Sequence, residues 1–286
     1  MEKEVEETIN NARNNDNNFQ MGELKLAIKS LKNNKAAGPD GIPGELIKNC
    51  TENVFNIILK ILNKIKSTGK YPEGWGIGLT SLILKEGDDE DPNNYRAITV
   101  TDTITKILAI MINNRLEEWA SKNKIIRQEQ IGFQKKCRPA DHIFVLKTLM
   151  NTHLEKGKKI YSCFIDFKKA YDSVWRTGLF YKLIKTGADL DLIKIIKSMY
   201  EQSKQTLLLN GKLTRTFKTW KGVKQGCILS PRLFNIFIND IPGIFDATCT
   251  PLELGNEILN CLMMTWLSYQ KQKMDSNNPL INLRNT

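Results

Sequence analysis

Lys159-Ile160-Tyr161-Ser162-Cys163-Phe164-Ile165-Asp166-Phe167-Lys168-Lys169-Ala170-Tyr171-Asp172 is the stretch around which the rest of the chain is arranged. An apolar run rich in β-branched and aromatic residues delivers Asp166 to an expected strand end. A polar turn and a second carboxylate follow at once. Two readings of Asp166 stand side by side. It is a turn former or helix cap, or it is a ligand for a hard metal ion that faces a polyanion.

Composition favours a polyanionic partner without proving one. The 286 residues carry 42 Lys and Arg against 31 Asp and Glu, a net charge of +11. Such a surplus suits a phosphate backbone, and equally a well-solvated basic surface. The length allows one large domain or two subdomains with a sizeable core. No apolar run is long enough to cross a membrane, and the first residues lack a signal-peptide pattern. The six cysteines are scattered with no CxxC pair, as reduced thiols are, so an intracellular place in cytoplasm or nucleus is expected. Two histidines, His142 and His153, leave little room for a His-based metal site or triad.

Outward from the central stretch, residues 1–20 are charged and Asn-rich and read as a solvated lead-in. Leu24, Ala27, Ile28 and Leu31 recur at helical spacing, and Gly38-Pro39-Asp40-Gly41-Ile42-Pro43 ends that helix. A second helix is expected over about 53–67, with Val54, Ile57, Ile58, Ile61, Leu62 and Ile65 on one side. Residues 79–85 and 95–98 predict a β-hairpin with Lys85 and Arg96 at its ends. A helix over about 103–120 follows. The loop Gln130 to Arg138 is basic with one aromatic, Phe133, and can track a phosphate backbone or be an exposed turn. After Asp172 come helices at about 177–186 and 190–201, then an Asn210-Gly211 hairpin. Gly222-Val223-Lys224-Gln225-Gly226-Cys227 permits close backbone approach to a ligand. Ser230-Pro231 reads as N-cap and first residue of a helix to about Asp240.

Together these boxes resemble the reverse transcriptase domain of a non-LTR (LINE-type) retrotransposon, over about residues 21–263. The boxes that carry the resemblance are Asn34 to Pro43, Asn94 to Ile98, Gln130 to Phe133, Phe164 to Asp172 and Gly222 to Cys227. The resemblance implies an α+β right-hand polymerase, with fingers (21–158) and an incomplete palm (159–263) whose antiparallel sheet is backed by helices. It implies that Asp166 and the Ile165 backbone carbonyl hold two Mg²⁺ ions. It implies that Lys85, Arg96, Tyr171, Gln225 and Gly226 contact the incoming dNTP; the basic loop's own Lys135, Lys136 and Arg138 are the expected contacts to the RNA template and DNA primer. The chain departs from the family's usual residues at Ala37, Ala97, Gln134 and Lys136.

A larger departure follows Met263, where the family carries Tyr-Ala-Asp-Asp. Residues 264–286 contain one carboxylate, Asp275. Met263 and Met264 are each ATG and Thr265 begins AC, so a one-base shift reads GAT GAC, which encodes Asp-Asp. The expectation is that 264–286 is an out-of-frame tail, and that the chain as written is an inactive polymerase domain. The alternative is a non-catalytic basic RNA-binding remnant or a pseudogene product.

Overall fold

The computed structural model describes all residues except 13–16, 86, 128–129, 135–136, 158–166, 168, 210, 242, 244–251, 255–256 and 260–286. Asp166, Ile165, Lys135, Lys136 and the 264–286 tail therefore lie outside the described residues.

Helix α5 (Thr103–Lys122) is the axis of the core. Ile107, Leu108, Ala109, Ile110, Met111 and Ile112 are all buried, so the helix is enclosed on every side there. It packs against α2 (Met21–Ser30), which in turn meets the short α3 (Gly44–Lys48) and α4 (Glu52–Thr68). Helix α6 (Pro139–Glu155) precedes the central stretch, and α7 (Arg176–Lys185), α8 (Leu190–Glu201) and α9 (Ser230–Ile238) follow it.

Four expectations are revised. Residues 1–20 are not simply a solvated lead-in: Glu2–Asn10 form helix α1, with Val5 and Ile9 buried. Its acidic side meets basic helices, Glu4 lying 3.4 Å from Lys185 and Glu6 3.9 Å from Lys197. High charge signalled solvent, yet the charges here face partners of opposite sign. On α4, Ile58, Leu62 and Ile65 are buried, but Ile57 is 57% and Ile61 39% exposed. The apolar stripe is wider than the face that its neighbours cover. Within that covered face Lys66, 1% exposed, meets Asp191, 2% exposed, at 2.9 Å. At α9, Leu229 is the N-cap and Ser230 is already helical. The Ser230 hydroxyl is buried 3.5 Å from Tyr200 Oη rather than capping the helix.

The sheet is the fourth revision. Strands β1 (Ile77–Leu84) and β2 (Tyr95–Val100) form the predicted antiparallel hairpin, pairing Leu84 with Tyr95. Strand β3 (Lys204–Leu209) then adds parallel to β1, pairing Ile77 with Lys204. Two short strands, β4 (Lys212–Leu213) and β5 (Phe217–Lys218), run antiparallel along the far edge of β3. The sheet is thus mixed rather than antiparallel, and β1–β3 pairing joins segments on either side of residue 158. Parallel pairing needs a long crossover, and residues 85–203 supply it. Such pairing is not visible in local sequence. Strands β6 (Leu252–Leu254) and β7 (Glu257–Leu259) make a separate two-stranded ladder.

Candidate nucleotide site

Tyr171 is the centre of the described part of the site. It is 8% exposed, and its ring tilts against Phe234 of α9 with centroids 5.4 Å apart. Burial pushes its phenol pKa up. Among the described residues its hydroxyl has no hydrogen-bond partner. The exposed Phe167 meets the same Phe234 edge-on at 6.4 Å.

The 222–227 segment is laced to this turn. The Val223 amide donates to the Tyr171 carbonyl (2.8 Å), and the Gly222 amide to that of Val174 (2.9 Å). Gly222 has φ +81°, and a Cβ there would stand 2.8 Å from Asp172 backbone atoms. Only glycine fits this crossing without strain. Gln225 Nε2 lies 3.2 Å from both carboxylate oxygens of Asp172. The Gln225 carbonyl accepts from the Thr99 amide of β2 (3.0 Å). Lys224 extends the other way and donates to the Gly76 carbonyl (3.2 Å), its pKa lowered chiefly by burial.

The 34–43 box packs on the start of α5, just beyond β2. The Asp40 amide donates to Asp102 Oδ1 (3.1 Å), and Thr103 Oγ1 donates to the Ile42 carbonyl (2.6 Å). Asp102 has its pKa raised, first by burial. Gly38 passes so close that a Cβ would stand 2.5 Å from the Asp102 amide nitrogen. The Gln130–Phe133 box docks on α9 beside Phe234: Gln130 Nε2 donates to the Asn235 carbonyl (3.1 Å), and Asn235 Nδ2 to that of Gly132 (2.6 Å). The Tyr171 turn thus meets the 222–227 loop and α9, and β2 joins that loop through Thr99.

The cations sit on the rim. The Lys85 amide donates to the Asn94 carbonyl (2.8 Å), and Arg96 lies opposite Ile83. This register places Lys85 and Arg96 on one face of the hairpin. Neither side chain has a hydrogen-bond or ion-pair partner among the described residues. Lys169 ties the hairpin tip to the central turn by donating to Asn93 Oδ1 (2.8 Å). Arg138 is exposed at the start of α6.

Sequence reading missed Arg176. Its guanidinium donates to the carbonyls of Tyr200 (3.1 Å), Thr219 (2.7 Å), Lys221 (3.1 Å) and Gly222 (2.9 Å), and it stacks over the Tyr200 ring at 4.9 Å. It fixes the approach to the glycine loop from behind. Nearness to the central stretch was its one sequence signal. Asp102 was missed as well, because an aspartate before a helix reads as a cap.

No three His, Cys, Asp or Glu side chains converge on a point among the described residues. Asp172, the carboxylate of the described turn, is already spanned by Gln225. The described residues do not form a metal cradle.

A family model described as "Reverse transcriptase (RNA-dependent DNA polymerase)" matches residues 83–267, more than half of the chain. The chain belongs to the reverse transcriptase family. This reverse transcriptase chain is 29% identical over 222 residues to the RNA-directed DNA polymerase from mobile element jockey of Drosophila funebris, covering 77% of this chain and 24% of that protein. It is 26% identical to a probable RNA-directed DNA polymerase from transposon BS of Drosophila melanogaster, covering 78% and 25%. It is 28% identical to a Pol polyprotein from the type-1 retrotransposable element R2 of Popillia japonica, covering 77% and 30%. The non-LTR resemblance read from the sequence boxes is borne out. The chain spans about a quarter of the length of these curated relatives. No helix among the described residues is long and apolar enough to cross a membrane.

Proposed function

We infer that this chain is the fingers and part of the palm of a retrotransposon RNA-directed DNA polymerase. It would extend a DNA primer on an RNA template with dNTPs. The docking of the 222–227 loop both on the Tyr171 turn and on β2, the strand that bears Arg96, carries this reading.

The residues divide the work by what holds them. The ring of Tyr171, packed on Phe234, would form an apolar floor for a sugar. The Gln225–Gly226 backbone is anchored on Thr99. At Gly226, φ is +102° and a Cβ would stand 2.7 Å from the Thr99 carbonyl oxygen, so glycine lets the loop seat on β2. Lys85 and Arg96, on one face of the hairpin and free of acidic partners among the described residues, suit a triphosphate. Arg138, with Lys135 and Lys136 beside it in sequence, suits a template backbone. The Mg²⁺ ions implied by family resemblance have their ligands, Asp166 and the Ile165 carbonyl, outside the described residues. They remain a sequence-based proposal.

One observation favours a second reading of the chain as written. No Asp-Asp pair follows Met263, so Asp166 lacks its family partners, and this polypeptide binds RNA without copying it. Primer extension on primed RNA separates the two. A chain translated in the shifted frame beyond Met263 is expected to add dNTPs and to stop when Asp166→Ala is introduced. The chain as written is expected to add none. Extension by the written chain that survives Asp166→Ala would remove this assignment.

A further inference from the structure

Between Glu201 and Asp240 the sequence holds seven Lys or Arg residues and not one carboxylate. Three of the seven are accounted for by the fold. Lys204 pairs with Glu73 (2.6 Å), Arg232 with Glu117 (3.3 Å), and Lys224, half-buried, donates to the Gly76 carbonyl. The other four, Lys212, Arg215, Lys218 and Lys221, are all exposed, with no ion pair among the described residues. Elsewhere exposed lysines of this chain do find carboxylates, as Lys25 does with Glu52 and Lys182 with Asp240.

These four cations recur every third residue along one edge of the sheet. Lys212 pairs with Leu209 at one end of β3, and Lys218 with Lys204 at the other. From Lys212 to Lys218 the strip therefore spans about 17 Å along β3 at roughly 3.3 Å per residue, and Lys221 lies just past the strand end. Two rings stand among the charges: Phe217 is exposed, and Trp220 is 76% exposed with Lys218 Nζ 4.3 Å from its ring centroid. Cations alone would keep an open sheet edge from pairing with another chain. Exposed aromatic rings work against that purpose, so edge protection does not explain them.

We propose that this edge is a binding track for an unpaired nucleic-acid strand, with Lys212, Arg215, Lys218 and Lys221 on the phosphates and Trp220 and Phe217 under the bases. Cations interleaved with exposed rings match what an unpaired strand offers, a regular phosphate charge and accessible base faces. A duplex hides those faces. The track also leads somewhere. Arg176 holds the carbonyls of Thr219, Lys221 and Gly222, so the strip runs directly into the loop that carries Gln225 and Gly226. A strand lying on it is delivered to the site around Tyr171. This track is separate from the Lys135–Arg138 loop, and it rests on the polymerase reading only for why such a strand should be led there.

The test is salt-dependent binding of labelled oligo(U) and oligo(dT) to the full chain. Variants are Lys212→Gln/Arg215→Gln/Lys218→Gln/Lys221→Gln, Trp220→Ala, and a control, Lys29→Gln/Lys60→Gln/Lys64→Gln/Lys122→Gln, that removes equal charge from exposed helix faces. The strip variant is expected to lose about 0.7 per charge, roughly 2.8 in all, from the slope of log K against log salt. Trp220→Ala is expected to weaken binding about tenfold with the slope unchanged, and the control to stay near wild type. Oligo(U) and oligo(dT) arms report whether RNA or DNA is the preferred strand. Equal losses in strip and control variants, or equal binding of a blunt duplex, overturn the track. Binding by wild type that the strip variant retains overturns the track alone. No binding by wild type overturns the polymerase reading with it.

Discussion

The glycine loop, residues 219–227, and the hairpin tip, residues 85–96, both border the Tyr171 turn, yet they are held in opposite ways. In the loop almost every polar group is already engaged. Arg176 takes the carbonyls on its back, the Tyr171 and Val174 carbonyls take its amides, and Thr99 takes the Gln225 carbonyl. At the tip the backbone is paired, but the Lys85 and Arg96 side chains are not. On the proposed polymerase reading, the difference separates two jobs. A surface that must hold a sugar and base in one pose gains from groups whose positions the fold has already fixed. Cations that must meet a charged ligand are most useful when no internal carboxylate has claimed them.

Substitutions in the loop should therefore act on stability, and those at the tip on binding. The largest effect is expected from Arg176→Ala, which strips a charged donor from four backbone carbonyls. About 3 kcal/mol of stability should be lost, read from urea unfolding. A loss under about 1 kcal/mol would mean that the loop is not held from behind. Gly222→Ala should cost about 2–3 kcal/mol, because it adds a Cβ against Asp172 at positive φ. Tyr171→Phe tests the floor. Its hydroxyl has no partner among the described residues, so the variant should be as stable as wild type or up to about 1 kcal/mol more stable. A marked loss of stability would reveal a hydrogen bond to that hydroxyl. Smallest is a pH effect at Lys224. Its folded pKa lies below the ordinary 10.5, so the unfolded chain binds the proton more readily, and stability should rise with pH through that window. Lys224→Met should flatten the rise in a pH series of urea midpoints.

How much of this was legible in the sequence depended on how local the signal was. Helices α2, α4, α5, α7 and α8 followed from apolar periodicity, and the β1–β2 and β3–β4 hairpins from turn residues and alternation. The sequence boxes named Tyr171, Gln225 and Gly226, and the Val223–Tyr171 hydrogen bond joins the two boxes that hold them. What failed was long-range. Parallel pairing of β1 with β3 spans more than a hundred residues and leaves no local mark. Helix α1 was masked by its charge, whose partners lie on α7 and α8. Arg176 acts on backbone carbonyls, which have no side-chain signature to find. The central carboxylate, Asp166, lies outside the described residues, so its role still rests on its place in the box.

The most direct measurement is a paired titration, in magnesium buffer, of a dNTP and of the matching deoxynucleoside against wild type and Lys85→Gln/Arg96→Gln. With open cations for the triphosphate and a fixed floor for the sugar, the double variant should bind the dNTP at least about tenfold more weakly. Its deoxynucleoside affinity and its urea midpoint should match those of wild type. Equal dNTP affinity in the two proteins, or an equal loss for both ligands, would contradict the division between fixed floor and open rim.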